Sequence, residues 1–108
     1  MMDEARFNAL AEATMAKLES ALESCADGFD YEVQPGGVLE LEFDDGSKII
    51  VNRHSAAREI WVASKAGGFH FRYEDGRWVG TRDGVELFEA LSRLIGAQAG
   101  GAVRLSES

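Results

Sequence analysis

Cysteine is almost absent from these 108 residues. Cys25 stands alone, which excludes an intramolecular disulfide and any cysteine-rich zinc or iron–sulfur site and favours a reducing compartment. Histidine is nearly as scarce. His54 and His70 are the whole supply, and two isolated surface histidines predict no zinc site. The chain has no glycine-rich phosphate loop ahead of a helix, no Gly-x-Ser-x-Gly, no His-Glu-x-x-His and no Cys-x-x-Cys, so conventional catalysis lacks its parts. No apolar run approaches the ~20 residues that span a bilayer, and the opening MMDEARFNAL has neither a basic leader nor an apolar core of a signal. These absences predict a cytoplasmic binding protein rather than an enzyme.

What the chain has in excess is acid, and it is unevenly placed. Residues 1–46 carry twelve acids against Arg6 and Lys17, whereas residues 47–108 carry seven acids against nine bases, giving the net charge of −8. An acidic half of this strength repels nucleic acid and anionic lipid and attracts cations or basic protein surfaces. Hydrophobic residues at 45% over this length predict one domain, 1–108, with a core large enough to stand without staples.

Periodicity supplies the elements. Phe7, Leu10, Ala11, Thr14, Leu18, Leu22 and Cys25 recur at helical spacing and predict an amphipathic helix over 3–25, with Glu12, Glu19 and Glu23 along one flank. Phe29, Tyr31 and Val33 then alternate with Asp30 and Glu32, and Leu39, Leu41 and Phe43 with Glu40, Glu42 and Asp44, the pattern of half-buried strands. Further strands are expected at 48–53 (Ile49 and Val51 inward), 59–64 (Ile60 and Val62 inward, Trp61 outward), 69–73 (Phe69, Phe71 and Tyr73 inward) and 77–81. Asp45-Gly46 and Asp75-Gly76 mark hairpin turns. Asp83 with Glu86 reads as a capping box for a second helix bearing Leu87, Phe88, Leu91, Leu94 and Ile95, with Gly96 as its stop and a flexible tail over about 97–108, although Val103 and Leu105 are placed to lie against the core. The order predicts an α+β fold: a two-layer α/β sandwich, with an antiparallel sheet of five to six strands and both terminal helices on one face. The other face stays wet and displays Asn52, His54, Trp61, His70 and Arg72.

The acids converge. Glu19, Glu23 and Asp27 run off the first helix toward Asp30 and Glu32 on the first strand, and a row of hard oxygen ligands without histidine or cysteine suits a loosely held, exchangeable cation. The alternative is a solvated acidic face. Cys25, on the apolar stripe, reads as a buried inert thiol.

The run GGVLELEFDDGSKIIVNR followed by EIWVASKAGGFHF, flanked by an acidic first helix and a closing helix, resembles the bacterial frataxin family of iron–sulfur cluster assembly proteins over nearly the whole chain. The resemblance implies that ferrous and ferric iron bind at Glu19, Glu23, Asp27, Asp30 and Glu32, with Asp3, Glu4 and Glu12 as outlying ligands. It also implies docking on the cysteine desulfurase and scaffold machinery through Asn52, His54, Trp61 and His70, by a protein that is monomeric without iron and serves as its sensor or donor. Two competing implications are ferroxidase or iron-storage activity at the acidic ridge, and a docking module indifferent to metal. Departures are visible: Leu22, Ser24 and Ala26 fall where the family is often acidic, and His54 stands where a glutamine is usual.

Overall fold

The computed structural model describes residues 2–25, 29–101 and 103–105, with the side chain of Cys25 outside the description. Helix α1 (Glu4–Cys25) is followed by six strands, β1 (Phe29–Gln34), β2 (Val38–Phe43), β3 (Lys48–His54), β4 (Glu59–Ser64), β5 (Gly67–Glu74) and β6 (Arg77–Gly80), and then by α2 (Leu87–Ala99). The strands form one antiparallel sheet whose spatial order is their chain order. The expected sandwich is therefore the fold. Among the described residues, no helix is long and apolar enough to cross a membrane.

Alternation decides which face each strand buries. Leu39, Leu41, Phe43, Ile49, Val51, Ile60, Val62 and Phe71 line the inner face, and Phe7, Ala11, Leu18 and Leu22 of α1 with Leu87, Phe88, Leu91 and Ile95 of α2 cover it. Among the described residues, Thr14 is the buried polar residue of this core. Its hydroxyl accepts from Trp78 Nε1 at 2.8 Å, fastening α1 to β6, and the Trp78 ring meets Phe7 and Tyr73 edge-on at centroid distances of 5.9 and 5.2 Å.

Three local expectations need correction. Val33 was expected inward, but it is 51% exposed, because β1 is an edge strand with a neighbour on one side only and Val33 lines an open cleft between it and Glu12, Met15 and Glu19 of α1. Asp83 does not cap α2: its carboxylate accepts from Val85 N within the preceding turn, and that turn is locked by hydrogen bonds from Gly80 N to Val85 O and Gly84 N to Gly80 O. The helix therefore starts later, with Glu86 as the cap, accepting from Phe88 N and Glu89 N. Nor does α2 stop at Gly96. It continues to Ala99 and ends at Gly100 in the left-handed conformation (φ 79°).

The returning chain explains the glycine inside the helix. A Cβ on Gly96 would lie 2.9 Å from Gly101 O. Within the stretch expected as a flexible tail, and among the described residues, 97–99 are helical, Val103 is half-buried, and Leu105 is buried with its N–H donating to Ser92 Oγ at 2.8 Å.

The extra turn of α2 delivers Gln98 to a corner where distant segments meet. Its side chain donates to Ser47 Oγ at 2.9 Å and accepts from Lys65 N at 3.2 Å, while Asp45 accepts from Ser47 N and from Lys65 Nζ. The Ser47 hydrogen bonds, and then Lys65, hold the Asp45 carboxyl down to about 2. Since its unfolded value is ~3.9, its contribution to stability is complete above pH ~4 and is lost as pH falls toward 2. Asp45→Asn is expected to flatten the acid limb of the stability curve over that window and leave it unchanged at neutral pH apart from a constant offset, as read by urea melts at stepped pH. An acid limb of unaltered slope contradicts the assignment.

Candidate metal-binding edge and docking face

The acidic row predicted from the sequence is split by β1. Glu19 and Glu23 are exposed on α1 and lie close enough to Tyr31, on the helix side of β1, that partial burial and then the charges of Glu23 and Glu19 hold its hydroxyl above the usual phenol range. Asp30 and Glu32 alternate with Tyr31 and so face the opposite side. There they stand directly across from Glu42 and Glu40 of β2. Asp27, which the sequence placed between the two groups, lies outside the described residues.

Glu40 and Glu42 are thus members of the acidic edge that the sequence reading did not include. Their alternation with Leu39 and Leu41 was plain, but membership depends on the hairpin register, which joins Asp30 to Glu42 and Glu32 to Glu40. Like charges directly opposed on neighbouring strands are destabilising. Lys48 offers some relief, 3.7 Å from Glu40.

The outlying acids have other work. Asp3 Oδ1 accepts from Arg6 N at 2.8 Å as the N-cap of α1. Glu12 pairs with Arg53 Nη1 at 3.1 Å, tying α1 to β3. Glu4 is exposed in the first helical turn. Among the described residues, no three His, Cys, Asp or Glu side chains converge to hold a metal ion. The edge is a negative field, with Glu19 and Glu23 on one side and Asp30, Glu32, Glu40 and Glu42 on the other, and it offers carboxylates for loose, multi-site attraction rather than a preformed cage.

On the outer sheet face the structure brings together the other predicted residues. Asn52, Trp61 and His70 are consecutive cross-strand partners on β3, β4 and β5. His54, diagonal to Trp61, stacks on one face of the indole (centroids 3.8 Å apart, planes within 8°), and His70 stacks on the other (4.3 Å, 6°). Trp61 is half-buried rather than freely exposed, because both ring faces are covered and the ring edge remains.

Three polar contacts set this slab. Glu59 Oε1 accepts from Trp61 Nε1 at 2.8 Å and lies 3.5 Å from His70 Nδ1, while His54 Nδ1 accepts from Ala57 N at 3.2 Å, so the β3–β4 turn orients that ring. Glu59 is the residue here that sequence reasoning missed. Only the cross-strand register shows that it sits opposite His54 on one side and Arg72 on the other.

Residues 1–101 match the model of the Frataxin-like domain. The chain is 59% identical over 104 residues to the iron–sulfur cluster assembly protein CyaY of Dechloromonas aromatica, covering 96% of this chain and 99% of that one. It is 50% identical over 101 residues to the protein of the same name from Ralstonia nicotianae, covering 91% and 89%. Among solved structures, frataxin from Psychromonas ingrahamii superposes with a TM-score of 0.88 at 32% identity, covering 97% of this chain and 99% of that chain.

Proposed function

Because this chain belongs to the Frataxin-like family, we propose that it is an iron-binding regulator of iron–sulfur cluster assembly that docks on the cysteine desulfurase as iron sensor or donor, and that it is not an enzyme. The observation that carries this reading is the pair of like-charge oppositions, Asp30 with Glu42 and Glu32 with Glu40. They cost stability in the free protein, and bound cations or a basic protein surface would relieve the repulsion. Iron spread along the edge partly neutralises it and so changes its attraction for a basic patch on the desulfurase. The slab of His54, Trp61 and His70 supplies a second contact surface, for the assembly machinery, on the same side of the sheet as Asp30 and Glu32. Neither helix carries the paired Glu-x-x-His motifs of a dedicated di-iron oxidation site, which argues against a ferroxidase.

A second reading, docking without metal, is favoured by the lack of a converging ligand set among the described residues. Anaerobic titration with ferrous iron, followed by amide NMR, separates the two. Signals of Glu19, Glu23, Asp30, Glu32, Glu40 and Glu42 are expected to shift or broaden while Trp61 is undisturbed. Charge reversal at Glu19 and Glu23 is expected to weaken both iron binding and desulfurase affinity, the latter by about tenfold at low salt and less at high salt. No perturbation up to millimolar iron, with docking still lost in the reversed variant, would leave the metal-independent module.

A further inference from the structure

We propose that the cleft between β5, the β6–α2 turn and α2 is a binding site for a small monocarboxylate carrying one aromatic ring or a short branched chain. The site lies apart from the acidic edge and does not depend on iron. Its volume is about 190 Å³, a little more than the ~150 Å³ that accommodates benzene in an apolar cavity. That size admits one ring and not a nucleotide. Phe69 and Phe71 from β5, Val85 from the turn, and Ala90 and Leu94 from α2 give it an apolar lining.

Charge selects the other half of the ligand. Arg82 and Arg93 stand at the cleft, in the half of the chain that is net positive, while the acidic half repels anions. Arg82 is exposed but leans on the cleft wall: its guanidinium lies 5.7 Å from the Phe69 ring centroid, and Nη2 donates to Gly68 O at 3.4 Å. A guanidinium has five donors, so most remain for a carboxylate. Arg93 contacts Glu89 at 3.4 Å, an exposed pair that exchanges readily for a better acceptor. Asp83, a carboxylate lining the cleft, has its Oδ1 engaged by the backbone, accepting from Val85 N at 3.1 Å. The wall itself is firm, because Thr81 N donates to His70 O and Gly80 N to Val85 O.

The test uses the full chain and three probes: phenylacetate, its neutral analogue phenylacetamide, and acetate. Phenylacetate is expected to shift the amides of Phe69, Thr81, Arg82, Val85 and Leu94 saturably, with Kd about 1 mM for a ligand of this size. Phenylacetamide and the variant Arg82→Gln should each weaken binding by about tenfold, and acetate should give no saturable shift. Leu94→Trp, which fills the cleft and is checked for folding by circular dichroism, should abolish it. The proposal is overturned if phenylacetate does not saturate below about 20 mM, if acetate reproduces its shifts, if the amide and Arg82→Gln bind equally well, or if folded Leu94→Trp still binds.

Discussion

Alanine at Trp61 is expected to weaken docking on the assembly machinery by between about 30- and 1,000-fold, the range that follows from losing a central aromatic anchor worth ~2–4 kcal/mol. The indole is the middle ring of three, and its removal separates His54 from His70 and leaves Glu59 without the Nε1 donor. Folding should suffer less than docking. Two stacked contacts contribute about 0.5–1.5 kcal/mol each, so a loss of ~1–3 kcal/mol is expected in urea melts, with the core intact because Trp61 lies on the outer face. Trp61→Phe should retain part of both effects. Calorimetric titration against the desulfurase, alone and with its scaffold, reads the docking arm. Affinity within threefold of the parent protein would remove the ring slab from the docking face.

At Trp78 the balance reverses. Alanine there is expected to cost ~3–5 kcal/mol of stability, a large fraction of the 5–15 kcal/mol typical of a domain. The ring is 2% exposed, with Phe7 and Tyr73 edge-on and Thr14 as acceptor for its N–H. Thr14→Val isolates the polar contribution, since it leaves a buried indole N–H unpaired at a cost of about 1–3 kcal/mol. Removing both partners, as in Thr14→Val with Trp78→Phe, should cost less than the two single changes added together, because neither leaves an orphan behind. Strict additivity in that cycle, or a Thr14→Val variant as stable as the parent, contradicts the coupling.

The elements most legible in the sequence were those with a clean period. Leu39, Leu41 and Phe43 alternate with acids without exception and are buried, as are Ile49 with Val51 and Ile60 with Val62, although apolar Ile50 and Trp61 stand between those pairs. Boundaries set by tertiary contact were not legible. Gly96 has the composition of a helix stop, yet the helix passes through it, and Gly101 and Val103 lie over a position where only hydrogen fits. Asp83 has the chemistry of a cap, but a hydrogen-bonded turn claims it first. The same distinction holds for the surfaces. Each acid was visible, but register put Asp30 and Glu32 on one side and Glu19 and Glu23 near the other face of β1, and brought Glu40 and Glu42 into the set. Asn52, Trp61 and His70 were expected together and are neighbours, whereas their stacking and the double role of Glu59 required three strands in place.

The strand order, β1 to β6 without a crossover, bears on how the chain is made. Each ladder joins segments adjacent in sequence, so hairpins can form on a timescale of microseconds as they emerge. The contacts that seal the inner face reach much further: Trp78 to Thr14 spans 64 positions and Gln98 to Ser47 spans 51. At ribosomal speeds of ~5–20 residues per second, the 13 residues of α2 take roughly 0.7–2.6 s to appear, and throughout that interval a paired sheet waits with the part of its apolar face that α2 covers left open. Vulnerability to aggregation during synthesis is therefore concentrated in the delay between the emergence of β6 and that of α2, and a nascent chain whose emerged part ends near residue 86 is the species that holdase chaperones should bind most tightly.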